Sequence, residues 1–195
     1  MGPDGLQGMG FNWTMPGDDV PPPPPTPEEI AAGLLLEAEA QMHAPQIAAD
    51  PPEGTPAVIT LPVFVQVTNW EGEFQIGPRC VLGVCVTLTA TPTLTFDPGE
   101  PGSSPIECDP PGTRFDPNGP DPEVQASAPG ACAHAYQART GADGRPDEWP
   151  GEVSVTWEVA WTAGDAGDTL EPMTLSTPLP RAVDEVQTVV RNGGG

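Results

Sequence analysis

The sequence predicts an all-β chain, an antiparallel β-sandwich preceded by one short helix and a proline-rich tail. Three observations carry this. Apolar residues alternate with a period of two in several separate blocks. The 29 prolines avoid those blocks: twelve lie in residues 1–56 and eleven in 98–150, against three each in 57–97 and 151–195. Turn-rich joints between short strands, with little helix, are the pattern of antiparallel sheets.

Taken in order, residues 1–25 end in the polyproline run Pro21–Pro25, a stiff spacer with no core of its own. This tail is expected to lack order. A helix start follows. Thr26 can cap, Pro27 takes the first helical position, and Glu29 stands three residues after the cap, as a capping box requires. Ile30, Leu34, Ala38 and Met42 recur on one face, so the spacing predicts a helix from about Pro27 to His43 within residues 26–44, ended by Pro45. The stripe reads as a face packed on the domain.

The β domain is expected over 57–190, with a proline-rich insertion at 98–150 and a disordered tail at 191–195. From Ala57, the residues Ile59, Leu61, Val63 and Val65 alternate with Thr60, Pro62, Phe64 and Gln66, which predicts one strand. Val84, Val86, Leu88 and Ala90 share a parity that Leu94 and Phe96 continue past Pro92, a residue expected to mark a bend or an edge. Val153, Val155, Trp157, Val159 and Trp161 form one face of the clearest strand, opposite Ser154, Thr156 and Glu158. The two tryptophans read as core filling between sheets, although an aromatic platform for a sugar is the competing use. A last strand or pair is expected from Met173 to Val190.

Charge and residue inventory exclude several functions. With 28 acidic residues, six arginines and no lysine, the chain has a net charge of −22, which repels nucleic-acid backbones and anionic lipid. Without lysine there is neither a P-loop nor Schiff-base chemistry. The Gly-x-Ser-x-Gly elbow of serine hydrolases is missing. No stretch approaches the ~20 apolar residues of a membrane span. Nor does any run pair a positive start with an apolar core, so export would require a signal outside these residues.

Four cysteines admit three pairings. Cys80 and Cys85 flank Val-Leu-Gly-Val, a length that suits a bridged hairpin. A Cys108–Cys132 bridge would close part of the insertion, and loop entropy makes such a closure worth ~3 kcal/mol. Zinc held by thiolates with His134 is the rival, but the cysteine spacings do not follow the usual Cys-x₂₋₄-Cys repeats. A reactive cysteine lacks a basic neighbour. Among 28 acids, chance pairs such as Asp97 with Glu100, or a lone Glu158, do not define a glycosidase. Asp109, Asp116, Asp121 and Glu123 share one loop and form a weak calcium candidate, without the ligand order of an EF-hand.

Several segments together resemble the domains of the PKD family. Leu94-Thr-Phe-Asp97-Pro-Gly99-Glu100 is similar to that family's strand and turn, His134-Ala-Tyr136 to its His-x-Tyr, and Glu152 to Val159 to its last alternating strand. Cys108-Asp-Pro-Pro-Gly-Thr-Arg-Phe115 and Cys132-Ala-His134 resemble a variant in secreted PKD-like proteins of actinobacteria. The resemblance spans roughly Pro25 to Val190. It departs from the family at Pro98, Pro101, the long insertion, Cys80 and Cys85. It implies an Ig-like β-sandwich on an exported or cell-envelope protein, non-catalytic and without a cofactor. It implies a spacer, or a contact module whose partner is a cell-surface protein or glycan. Asp97, Gly99, His134 and Tyr136 would then be structural. The alternative is a calcium- or carbohydrate-binding module built on the acidic insertion.

Overall fold

The computed structural model describes residues 23–186, and within them strands dominate. Of the expected tails, 191–195 and nearly all of 1–25 lie outside the described residues. Helix α1 (Pro27–Glu39) opens on the capping box: Glu29 N donates to Thr26 Oγ1 and Thr26 N to Glu29 Oε2. It is one turn shorter than its apolar stripe predicts. Ile30, Leu34 and Ala38 are buried from the helix, while Met42 reaches the same core from the turn that follows. Burial of the stripe therefore outlasts the helical hydrogen bonding.

Strands β1 (Ile47–Asp50), β2 (Ala57–Val58) and β3 (Pro62–Val67) come next. The single strand expected from Ala57 is broken in two. Thr60 takes a left-handed φ of 70°, Leu61 is left half exposed, and β2 and β3 end in different sheets. β4 (Phe74–Val81) and β5 (Val84–Asp97) form a hairpin whose tip is closed by Cys80–Cys85. Pro92 does not end the strand, since β5 runs through it for 14 residues, but it does lie at a local edge, where one side of β5 is unpaired. The position is tolerated because β4 pairs with β5 only as far as Ala90, and the next strand on that side begins opposite Leu94. No neighbour there asks for the N–H that proline lacks.

The 98–150 insertion is not a bare loop. It supplies β6 (Ile106–Cys108), a short helix α2 (Pro122–Ala126) and β7 (Ala133–Ala135). Strand β8 (Glu152–Ala163) follows with the predicted face inward, then β9 (Ala166–Thr169), β10 (Met173–Pro178) and β11 (Val183–Asp184). The end of the last expected pair, 187–190, lies outside the described residues.

The pairing is antiparallel in a six-stranded sheet ordered β10-β8-β5-β4, with β6 beside β5 and β9 beside β8. A three-stranded antiparallel sheet is ordered β1-β3-β7. The exception is β2 with β11, which pair in parallel. Val63, Val65 and Val67 of the small sheet share one core with Leu94, Phe96, Val153 and Val155 of the large one. α1 packs on β5 and β4 and adds its buried face to that core. Trp157 and Trp161 are each 4 % exposed and lie in this core, which gives them the filling role and not that of an open platform.

Cys108 of β6 bonds Cys132, the residue that leads into β7, so this buried bridge ties the large sheet to the small one. Two disulfides fit an oxidising, extracellular-type environment. Among the described residues no helix is long and apolar enough to cross a membrane.

Candidate functional site

The residues Asp97, Gly99, His134 and Tyr136, singled out in the sequence for a motif resemblance, meet where β5 ends and β7 passes. Asp97 Oδ1 accepts the Gly99 N–H at 2.9 Å, closing a tight turn. Gly99 has φ 70°, and a Cβ there would lie 2.5 Å from the Pro150 carbonyl carbon, so the turn admits only glycine. The turn delivers Glu100 inward, where it is 7 % exposed. Its Oε1 accepts Gln137 N and Ala138 N at 2.8 and 2.9 Å, and its Oε2 lies 2.9 Å from His134 Nε2. His134 meets Tyr136 edge to face with ring centroids 4.7 Å apart, and the Tyr136 hydroxyl donates to Pro98 O at 3.3 Å.

A cavity of about 440 Å³ opens beside this node, lined among others by Glu100, Ser103, His134, Arg145 and Trp149. Its one buried carboxylate is already engaged by three nitrogens. Glu100 was legible only as a member of an acidic turn motif; its three partners lie 34 to 38 residues away in sequence.

Beneath the node lies Arg181, 1 % exposed, with Nη1 donating to Pro52 O at 3.2 Å and with Nε and Nη2 unpartnered among the described residues. Burial lowers its pKa from the ordinary arginine value, opposed by the Tyr136 phenol and by Glu53. Nothing in the sequence separates this arginine from the other five. A buried guanidinium with two unspent donors costs desolvation that one hydrogen bond does not recover. Arg181→Met, which comes close to arginine in volume and carries no charge, is expected to leave stability within about 1 kcal/mol of the parent or raise it. Urea midpoints for the two proteins check this.

Tyr136, the single tyrosine, is driven up from its ordinary pKa by burial; Arg181 opposes the shift, and Glu100 and Asp97 add to it. A group whose folded pKa is raised binds its proton longer in the folded state than in the unfolded one. Its contribution is therefore complete below the unfolded pKa of about 10 and is lost as pH rises above it, by about 1.4 kcal/mol per pH unit. The expected observation is that phenolate absorbance in an alkaline titration grows only together with loss of the tryptophan near-ultraviolet circular dichroism.

The calcium candidate is not assembled. Asp116 Oδ1 accepts Asn118 N, Asp121 stands at the N-cap position of α2 without a side-chain cap bond, Glu123 lies in the helix's first turn, and Asp109 sits against Gly130. Among the described residues no three His, Cys, Asp or Glu side chains are grouped to hold a metal ion. The chain spacing suggested proximity, but the insertion does not turn these carboxylates toward a common point.

A second site lies on the outer face of the small sheet; the alternation set Phe64 and Gln66 opposite Val63 and Val65 but marked no site there. Because Val63, Val65 and Val67 face the core, Phe64 and Gln66 face away from it, beside Asp50 and Ala48 of β1. Residues of the insertion run along β3: Val67 N donates to Pro111 O and Thr113 N to Val65 O, both at 2.8 Å. Gly112 comes so close that a Cβ would lie 2.5 Å from Val65 O. This seat fixes Arg114 and Phe115, and the Phe115 ring stacks on Phe64 at 5.5 Å and 29°. Phe64 is thereby 2 % exposed although it lies outside the main core. Three adjoining cavities of about 380, 560 and 290 Å³ surround the pair, and Asp50 lines all three.

No family model matches the chain, and comparison with curated proteins and with solved structures found no match either. What can be said of function therefore rests on the residues themselves.

Proposed function

We propose that the chain is a non-catalytic module of an exported or cell-envelope protein, a PKD-like, Ig-like β-sandwich that serves as a spacer or as a contact domain toward a surface protein or glycan. The observation that carries this reading is how the node is used: Asp97 Oδ1, the Tyr136 hydroxyl and His134 Nε2 each bond the framework, and Glu100 binds three partners. A general acid or base keeps a lone pair or proton for its substrate. The two sheets over a common core and the bridge between them support the architecture, and two disulfides support the compartment.

The experiment is intact mass after thiol alkylation, with and without reduction, on protein purified without reductant. Four labels only after reduction support the reading. Four labels without it would remove both the export argument and the bridged sandwich.

A further inference from the structure

We propose that the outer face of the three-stranded sheet binds a neutral saccharide, with the Phe115 ring as its platform and Asp50, Gln66 and Arg114 pairing with its hydroxyl groups. The proposal rests on the reading of the chain as a non-catalytic contact module and gives that module its ligand class.

The first ground is shape. The adjoining cavities of about 380, 560 and 290 Å³ fall in the size range of small-ligand sites, and they meet at Asp50. Phe115 is half-buried, its far side held by the Phe64 ring, so one flat apolar surface is presented on a rigid support. Such a ring loses little conformational entropy when a ligand covers it.

The second ground is unspent hydrogen-bonding capacity. The nearby hydroxyls are used internally: Thr113 Oγ1 accepts Cys132 N, and Thr68 Oγ1 donates to Gln46 O. By contrast, the side chains of Asp50, Gln66 and Arg114 take part in no hydrogen bond among the described residues. Asp50 and Arg114 also stand outside both ion pairs found there, Arg79–Glu37 and His134–Glu100. Opposite charges that line shared cavities without pairing leave a donor fork and an acceptor pair free at once.

The chemistry of that set selects the ligand by elimination. An anion would meet Asp50 and a chain of net charge −22. A cation would meet Arg114. A purely apolar segment would strip water from a carboxylate and a guanidinium and return no hydrogen bond. A sugar ring has a C–H face for Phe115, and hydroxyls that both donate to Asp50 and accept from Arg114 and Gln66.

The test is affinity electrophoresis of the oxidised, full chain through gels containing a soluble mannan, an α-glucan, a β-glucan or a galactan, with titration calorimetry on whichever retards it. Arg114→Ala and Asp50→Asn alter exposed or half-exposed side chains, and Phe115→Ala removes the platform. Glu158→Ala, on the exposed face of the other sheet, is the control. Near-ultraviolet circular dichroism verifies that each variant remains folded. The expected result is retardation by at least one neutral polysaccharide, weakened about tenfold or more by Arg114→Ala or Asp50→Asn, lost in Phe115→Ala, and unchanged in Glu158→Ala. No retardation by any of the four overturns the proposal. So does retardation that the site variants do not weaken. A negative result here with both disulfides formed leaves the contact-module reading standing, whereas free thiols in the alkylation experiment defeat that reading whatever the gels show.

Discussion

Glu100→Ala is expected to destabilise the protein by about 3–5 kcal/mol, the cost of breaking a buried charged network from one side. The carboxylate is almost fully withdrawn from water and receives the amides of Gln137 and Ala138 and the ring nitrogen of His134. Alanine leaves all three without a protein partner, and each of these part-buried groups left unpaired costs up to ~1–3 kcal/mol. Because these contacts tie the turn after β5 to β7 and its exit, the loss falls on the joint between the two sheets. Glu100→Gln separates charge from hydrogen bonding. Its carbonyl oxygen can still accept both amides, and its NH₂ can donate to a neutral His134 ring, so the expected cost is only about 1 kcal/mol. Urea unfolding followed by tryptophan fluorescence measures both variants. A cost for the alanine variant no larger than that for glutamine would mean that water replaces the carboxylate and that the node does not hold the fold.

Loss of the inter-sheet bridge is the second large effect. Replacing Cys108 and Cys132 together by alanine is expected to cost ~3–4 kcal/mol through loop-closure entropy, the bridge spanning 24 residues. Both residues are buried, so the missing sulfurs also remove packing between β6 and the start of β7. The Cys80–Cys85 pair makes the contrast. It spans five residues, sits exposed at a hairpin tip, and joins positions already paired in the ladder. The same entropy relation gives it ~2 kcal/mol at most. Guanidinium midpoints of the two double variants should therefore rank with the Cys108/Cys132 variant well below the other. Equal midpoints would show that the insertion holds itself by packing alone.

The elements legible in the sequence are those whose signal is contiguous. Thr26, Pro27 and Glu29 announce the helix start because a cap is a property of four neighbouring residues. The parity of β5 and β8 was readable because each packs one face on the core along its whole length. Thr60 defeats the same reasoning. Alternation continues across it, yet a left-handed residue splits the run, and the two halves join different sheets. Periodicity reports which way side chains would point in a continuous strand, and it cannot report that the backbone turns.

The candidate sites divide in the same way. Asp97, Gly99, His134 and Tyr136 stood out as motif members and do converge. The acids Asp109, Asp116, Asp121 and Glu123 looked equally close in sequence and are not gathered. Proximity within a proline-rich loop says little about proximity in space, because each proline redirects the chain. Asp50 carried no sequence signal, Gln66 was read only as an alternating strand residue, and Arg114 and Phe115 only as the end of a motif stretch; their meeting was not legible, since they come from two strands and from an insertion laid over them.

By itself, then, the sequence determined the β-rich class, the helix start, the inward faces of the two longest strands and a set of cysteines able to brace the insertion, all governed by local geometry and by periodic burial. Only the tertiary structure decided the strand order, the parallel pairing of β2 with β11, the burial of Arg181, the three partners of Glu100 and the cavity around Phe115. These depend on which distant segments meet. That choice is made by the whole core at once, through the apolar area each pairing removes from water, and no window along the chain contains it.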